Sequence, residues 1–187
     1  MIAKLIKNVI TFWKVKANHV NSGGANYIGL DVKIVNRGKI SLGNNVIVRP
    51  STGLYTNPGI ELKIGNHVEI GNHSTIAAHH EIVIENDVLT GPHVFIADYN
   101  HAYTDVNLPI WQQGEYAQEG SKVVIGEGTW LGTNVVVVGN VRVGKHCVIG
   151  ANSVVTKDIP DYSVAAGIPC RVIKRYDFEK EEWVRVP

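Results

Sequence analysis

The chain has 187 residues, which is the length of about one domain. Its 18 Lys and Arg nearly balance its 17 Asp and Glu, so a net charge of +1 argues against a basic nucleic-acid-binding protein. The 44% apolar content argues against a disordered chain, and no apolar run is long enough to predict a membrane span. Valine (27) and isoleucine (20) far outnumber leucine (8), and 19 glycines accompany 16 asparagines. This composition predicts short strands joined by many tight turns.

The N-terminus predicts an amphipathic helix over residues 2–17. Apolar residues recur there at helical spacing: Ile2, Leu5, Ile6, Val9, Ile10 and Trp13. We expect residues 1–20 to cap the open end of the fold that follows, because a stack of strands must cover its terminal edges. Lysines 4, 7, 14 and 16 beside the stripe leave a weak association with a membrane surface as the rival interpretation. The segment is a poor signal peptide, and two cysteines make no disulfide framework, so a cytoplasmic protein is predicted.

A six-residue repeat then runs along the chain. Ile, Leu or Val returns at every sixth residue in two series: Ile64, Ile70 and Ile76, then Ile125, Leu131, Val137, Val143, Ile149 and Val155. The fifth position of each hexad holds a small or β-branched residue. Three such units close one triangular coil of about 18 residues. The repeat predicts an all-β protein, a parallel β-helix over residues 21–160, with positions one and five facing inward.

Two segments depart from the repeat. Equivalent positions fall at residues 42, 64, 84, 125 and 143, and the longest interruption covers residues 98–122. A loop of that size inside a compact domain is usually functional. Residues 161–187 form a charged C-terminal extension, in which Phe178 and Trp183 are expected to be packing anchors.

Three motifs carry a family resemblance: GANSVVTKDIP (150–160), AAGIPCRVI (165–173) and DYNH (98–101). With them, residues 40–175 closely resemble the hexapeptide-repeat acyltransferases, and most of all the maltose and galactoside O-acetyltransferases and their polysaccharide-biosynthesis relatives. The resemblance implies a left-handed β-helix, a homotrimer, acetyl-CoA as acyl donor, a sugar or glycan acceptor and no metal. The balanced charge predicts no nucleic-acid partner. We therefore expect a sugar O-acetyltransferase of surface-polysaccharide or glycoconjugate biosynthesis.

His101 is the predicted catalytic residue. It matches the histidine that acts as the base in the family, at the start of the long loop. An alcohol is a weak nucleophile at neutral pH, and a neutral imidazole can accept its proton. Asp98 and Asp105 flank His101, and either could orient the ring through its second nitrogen.

The resemblance also implies contacts to the two substrates. Thr133 and Ala151 would offer backbone groups to the pantetheine arm, and Thr156, Lys157, Arg171 and Lys174 would lie towards the phosphates and the nucleotide. Trp130 would pack on the pantetheine or on a neighbouring subunit. Asn72 and His79 are candidates for contact with the acceptor, although the family's acceptor asparagine has no clean counterpart here.

The remaining histidines leave a second enzyme class open. The repeat places His67 and His73 at different corners of the coil, and it stacks His73 with His93 at one corner, in a column that Asn134 and Asn152 continue. Three imidazoles on one metal would make a zinc enzyme resembling the γ-class carbonic anhydrases, with His73, His93 and His101 as the only trio. Two further hypotheses are an N-acetyltransferase acting on an amino-sugar nucleotide and a non-catalytic trimeric scaffold.

Overall fold

A computed structural model describes residues 2–116 and 120–186. The predicted ranges 1–20, 98–122 and 161–187 include residues outside this part, namely Met1, residues 117–119 and Pro187. The described residues form one α-helix, α1 (Ile2–Ala17), one 3-10 turn (Ile110–Gln112) and 23 strands. The strands are β1 (Asn21–Ser22), β2 (Tyr27–Ile28), β3 (Lys33–Asn36), β4 (Lys39–Leu42), β5 (Ile47–Val48), β6 (Gly53–Thr56), β7 (Glu61–Ile64), β8 (Glu69–Ile70), β9 (Thr75–Ala78), β10 (Glu81–Ile84), β11 (Leu89–Thr90), β12 (Phe95–Ala97), β13 (Asn100–His101), β14 (Glu115–Tyr116), β15 (Val123–Ile125), β16 (Trp130–Leu131), β17 (Val136–Val138), β18 (Val141–Val143), β19 (Val148–Ile149), β20 (Val154–Val155), β21 (Ser163–Ala166), β22 (Arg171–Asp177) and β23 (Glu182–Arg185).

These strands form a three-sided coil. Face one stacks β1, β4, β7, β10, β15 and β18, face two begins with β2, β5, β8, β11, β16 and β19, and face three stacks β3, β6, β9, β12, β17 and β20. Neighbouring strands of these stacks pair in parallel. We call the turn from face one to face two the first corner, the next turn the second corner, and the return to face one the third corner. The predicted parallel β-helix is confirmed.

The predicted register is confirmed at each rung that the sequence marked. Leu42 pairs with Ile64, Ile64 with Ile84, Ile84 with Ile125, and Ile125 with Val143. The 98–122 loop therefore leaves the coil and returns without shifting the stack. Residues at positions one and five of the hexads are buried, which gives the coil one continuous aliphatic core.

The backbone conformation at the corners explains why histidines occur there. The second-corner residues Ser51, His73, His93, Asn134 and Asn152 have φ between 57° and 60°. Asn, Asp and His tolerate this left-handed conformation better than most residues. The His73 and His93 rings stack with centroids 5.0 Å apart, and Asn134 Nδ2 donates to Asn152 Oδ1 at 3.0 Å. The predicted corner column is confirmed as an exposed structural feature.

Helix α1 covers the first coil through polar contacts. Thr11 Oγ1 accepts a hydrogen bond from the Ile28 amide at 3.0 Å, and Lys14 Nζ donates to the Val32 carbonyl at 2.8 Å. The side chains of Ile2, Lys4, Leu5 and Lys7 lie outside the described part. The stripe residues Ile6, Val9 and Trp13 are exposed. Val15 also packs against the core, so α1 covers the first coil with both polar and apolar contacts.

The C-terminal extension continues face two. Strand β21 pairs in parallel with β19, and β22 and β23 add two antiparallel strands at the edge. Tyr176 packs edge-on against Phe178 and Trp183, with ring centroids 5.0 and 5.4 Å away, so both predicted anchors make aromatic contacts. In the described residues, no helix has the length and hydropathy of a membrane span.

Candidate active site

The long loop leaves the coil at the third corner, between β12 and β15. Its two ends pair as the antiparallel strands β13 and β14, in which His101 lies opposite Glu115. This ladder fixes the backbone of His101 at the edge of the coil. It also brings a carboxylate from the far end of the loop to the same place.

Asp98, the first residue of the loop, has its side chain buried beneath the site. It is fully buried, and its two carboxylate oxygens accept hydrogen bonds from the backbone amides of His79 and His80 at 2.8 and 2.9 Å. Charge-assisted bonds of this kind are stronger than neutral ones. Asp98 therefore ties the loop to the corner one coil below and sets the position of His79.

Four side chains meet above Asp98, and we call them the imidazole cluster: His79, Tyr99, His101 and Glu115. His79 Nδ1 lies 2.7 Å from Glu115 Oε2, and the His79 ring stacks on Tyr99 with centroids 3.6 Å apart. A carboxylate can only accept, so the proton in that hydrogen bond is on Nδ1, which leaves Nε2 of a neutral His79 as an acceptor. The His101 ring meets Tyr99 edge-on, with centroids 6.2 Å apart.

Tyr99 joins the two imidazoles. Burial raises the pKa of its phenol, and the charges of Glu115 and Asp98 raise it further. The Tyr99 side chain is therefore a neutral hydroxyl at physiological pH, able to donate a hydrogen bond.

The structure gives the two predicted orienting carboxylates other roles. Asp98 faces the His79 and His80 amides, and Asp105 is exposed and accepts a bond from the Asn107 amide at 2.9 Å. Neither makes a hydrogen bond to His101 in the described part of the chain. The carboxylate opposite His101 is Glu115, whose side chain bonds to His79 instead.

An open groove of about 450 Å³ adjoins the cluster along face three. Tyr99 and His79 line one end of it. The other lining residues come from four successive coils: Val35, Arg37, Tyr55, Thr56, Asn57, Thr75, Ala77 and Phe95. The groove offers aromatic rings, hydroxyls, an amide and a cation, which suits a polyhydroxylated ligand.

The predicted coenzyme residues fall into three places. Thr133 and Ala151 are exposed neighbours at the second corner, where the Asn152 amide donates to the Thr133 carbonyl at 2.9 Å. Thr156 and Lys157 are exposed at the third corner after β20, across face three from that pair. The third place is the sheet of face two, where Arg171 and Lys174 lie on β22. Trp130 lies on β16 of the same sheet and is 49% exposed.

The two predicted acceptor residues lie apart. Asn72 precedes β9 at the second corner, and His79 follows β9 at the third. His79 lines the groove, and Asn72 is not among its lining residues. The zinc trio is also separated, because His73 and His93 stand at the second corner and His101 on the third-corner loop. Among the described residues no group of three or more His, Cys, Asp and Glu side chains is placed to hold a metal ion.

Comparison with known proteins agrees with this architecture. The bacterial transferase hexapeptide model (six repeats) matches residues 122–157. A putative lipopolysaccharide biosynthesis O-acetyl transferase of Escherichia coli K12, WbbJ, is 40% identical over 104 residues, which cover 54% of this chain and 53% of WbbJ. The galactoside O-acetyltransferase of the same organism is 35% identical over 134 residues, covering 72% of this chain and 63% of the enzyme.

A solved structure shows the same fold. The N-acyltransferase AntD of Bacillus cereus, in complex with dTDP and 3-hydroxybutyryl-CoA, superposes with a TM-score of 0.74 at 19% identity over 89% of each chain. The class is thus the left-handed parallel β-helix. By sequence, residues 122–157 match the hexapeptide-repeat model and part of the chain is similar to O-acetyltransferases, and by fold the coil is similar to AntD. It spans between 53% and 63% of the length of three curated relatives that it matches.

Proposed function

We propose that this chain is an acetyl-CoA-dependent O-acetyltransferase that acts on a sugar hydroxyl in surface-polysaccharide or glycoconjugate biosynthesis. The observation that carries the proposal is the position of His101, held by the β13–β14 ladder within the imidazole cluster, two of whose members, His79 and Tyr99, line the groove. The names of the related O-acetyltransferases support the reaction type.

In the proposed reaction, His101 acts as general base. The acceptor oxygen attacks the thioester carbonyl carbon while its proton passes to an imidazole nitrogen of His101. The resulting tetrahedral intermediate collapses with cleavage of the C–S bond, and the coenzyme A sulfur takes the proton back from the imidazolium. Holding both reactants at this edge makes the attack effectively unimolecular.

The His79–Glu115 pair supports the acceptor side of the site. Glu115 fixes the ring of His79, and Tyr99, which stacks on His79 and meets the His101 ring edge-on, carries a neutral hydroxyl. These three side chains would orient the acceptor for His101. A specific alternative is that His79 is itself the base, because among the described residues it has a carboxylate partner and His101 has none.

The coenzyme is proposed to bind across the predicted residues of the last coils. Thr133 and Ala151 would contact the pantetheine arm, and Lys157, Arg171 and Lys174 would meet its phosphates. AntD is itself crystallised with an acyl-CoA, which supports this ligand class. We also propose that the chain works in the cytoplasm as a homotrimer, and that the exposed stripe of α1 can touch a membrane surface weakly.

The test is release of coenzyme A thiol from acetyl-CoA with a panel of sugars and amino-sugar nucleotides. We expect release that requires a hydroxyl acceptor and that falls about 100-fold or more in His101→Ala, the loss expected for a general base. His79→Asn is the matched variant, and a smaller loss in it than in His101→Ala supports His101 as the base. The opposite ranking would assign the base to His79.

The same assay separates the remaining candidates. Transfer to amino groups alone would make the chain an N-acetyltransferase, an activity of the class for which AntD is named. Stoichiometric zinc in the purified protein would favour the zinc enzyme resembling the γ-class carbonic anhydrases. Biological activity that survives His101→Ala would favour the non-catalytic scaffold. No release with any acceptor, together with no binding of coenzyme A, would refute the transferase proposal.

A further inference from the structure

We propose that the face-three groove selects acceptors that carry a negative charge, with Arg37 as the residue that recognises it. The inference rests on the proposed function and adds a chemical class to its acceptor: a sugar bearing a phosphate or a carboxylate. Arg37, Tyr55 and Phe95 were not identified from the sequence.

The groove lies where two small side chains of one coil are each flanked by an aromatic residue of a neighbouring coil. In register along face three, Thr75 pairs with Phe95, and Ala77 pairs with Tyr55 on its other side. Phe95 stands two coils from Gly53, over which the Tyr55 ring lies, and two coil spacings are about 10 Å. Thr75 and Ala77 form the floor, and the two rings form the walls of a slot suited to a sugar ring.

The Tyr55 ring occupies space that is free because residue 53 is a glycine. A Cβ built on Gly53 would lie 2.7 Å from the Tyr55 hydroxyl oxygen, so the ring lies directly over this glycine. Lys33 Nζ stands 5.8 Å from the centroid of the same ring. The wall nearest the N-terminal end of the coil is therefore an aromatic surface with a cation above it.

The charges at the two ends of the groove differ. At one end, Glu115 is hydrogen-bonded to His79 and gives that end negative charge. At the other, the exposed Arg37 makes no ion pair with the described residues, and the lining contains no carboxylate. Arg49, by contrast, is paired with Glu69 at 2.7 Å. An anion on the acceptor is thus attracted by Arg37 and repelled at the catalytic end.

The spacing makes both contacts possible at once. Arg37, Asn57 and His79 follow one another at the third corner, since the Arg37 amide donates to Thr56 and the Asn57 amide donates to Ala78. Two coil spacings separate Arg37 from His79, which is about 10 Å. An acceptor can therefore place a hydroxyl at the imidazole cluster and an anion at Arg37 when one sugar residue or one diphosphate group separates the two. The guanidinium fork suits both phosphate and carboxylate.

The experiment compares matched acceptors in the thiol-release assay. The panel contains one hexose as the free sugar, as its 1-phosphate and as its nucleotide diphosphate ester, and an oligosaccharide with and without a uronic acid. We expect kcat/KM to be about 10-fold or more higher for the charged member of a pair, and added salt to reduce the difference. The phosphate and uronate arms show which anion is preferred.

Variants assign the effect to Arg37. Arg37→Gln is expected to lower kcat/KM for charged acceptors about 10-fold while neutral acceptors change less than about twofold, and Arg37→Lys should be intermediate. Arg142→Gln, an exposed arginine on face one, is the matched control and should change neither. Gly53→Ala, which pushes the Tyr55 ring aside, should weaken both acceptor types.

The outcomes keep this inference separate from the proposed function. Equal use of neutral and charged acceptors, or an equal loss for both in Arg37→Gln, overturns the charge selection and leaves the transferase standing. If no acceptor is acetylated, calorimetric titration with the hexose phosphate still decides. Binding that weakens about 10-fold in Arg37→Gln supports the site, and no binding by the wild type overturns it.

Discussion

Asp98 is the residue on which the geometry of the site depends. Its buried carboxylate accepts from two backbone amides of the neighbouring corner, at 2.8 and 2.9 Å. The sequence pointed to Asp98 through the DYNH motif, but as a partner of His101. Sequence adjacency could not show that the side chain turns inward, because the two amides belong to a coil that precedes it by 18 and 19 residues.

Asp98→Ala is expected to destabilise the fold by about 2–4 kcal/mol, because it leaves two amides without an acceptor. Asp98→Asn keeps one acceptor oxygen and should lose about half as much. Asp105→Ala, which removes an exposed loop carboxylate, is the control and should stay within about 0.5 kcal/mol. The measurement is the free energy of unfolding in urea. An Asp98→Ala protein as stable as Asp105→Ala would refute the structural role.

Other site residues show the limit of sequence reasoning. His101 could be predicted, because a motif marks it at the start of an interruption in a regular repeat. Glu115 could not, since 36 residues separate it from His79 and the loop between carries no periodicity. The groove depends on Thr75 lying beside Phe95 and Ala77 lying beside Tyr55, which a sequence shows only after the register is known.

At the level of elements, the first corner is held together by an asparagine ladder. Asn66 Oδ1 accepts from the Asn44 amide at 2.9 Å, and the Asn66 amide donates to Asn86 Oδ1 at 2.8 Å. The composition predicted asparagines in turns, and the ladder gives them a second role between coils. Each side chain satisfies a backbone amide that the turn leaves unpaired.

Asn66→Ala should therefore lower the free energy of unfolding by about 1 kcal/mol, the typical net value of a hydrogen bond that water can partly replace. Asn107→Ala, in the exposed loop, is the comparison and should be close to neutral. Chemical denaturation of both variants beside the wild type checks this. A ladder variant that matches Asn107→Ala would show that the ladder adds no stability.

The strands were easier to predict than the helix face. A period of six, read over nine positions, defines the inward residues of each strand and the register between coils. Helix α1 was predicted as a cap, but not which of its residues meet the coil: Thr11 and Lys14 do, and Trp13 of the apolar stripe is 59% exposed. Periodicity identifies an apolar face but does not show whether the surface opposite it carries unpaired backbone groups.

At the level of the whole molecule, the loop exposes apolar side chains that a single chain does not cover. Val106 is 92% exposed, Trp111 78% and Tyr103 70%. Exposed apolar groups concentrated on one element mark an interaction surface. The proposed trimer would cover them, and a three-fold ring repeats one heterologous contact three times.

We expect the purified chain to be trimeric by light scattering. The Trp111→Asp variant should shift towards the monomer, and its acetyl transfer should be lower than that of the wild type. Trp13→Asp is the matched control, because Trp13 is similarly exposed but lies on α1. It should leave the oligomeric state unchanged. A wild-type chain that is monomeric at micromolar concentration would refute the proposed assembly.

The undisturbed pairing of β10 with β15 has a consequence for how such proteins diversify. Ile84 and Ile125 occupy adjacent rungs although the whole loop intervenes between them. The pairing of the strands therefore does not depend on the length of the loop inserted at this corner, because closing a longer loop costs little more free energy than closing a shorter one. Replacing the 98–122 loop with the corresponding loop of a relative should therefore change the acceptor that is used while leaving the β-helix unaltered.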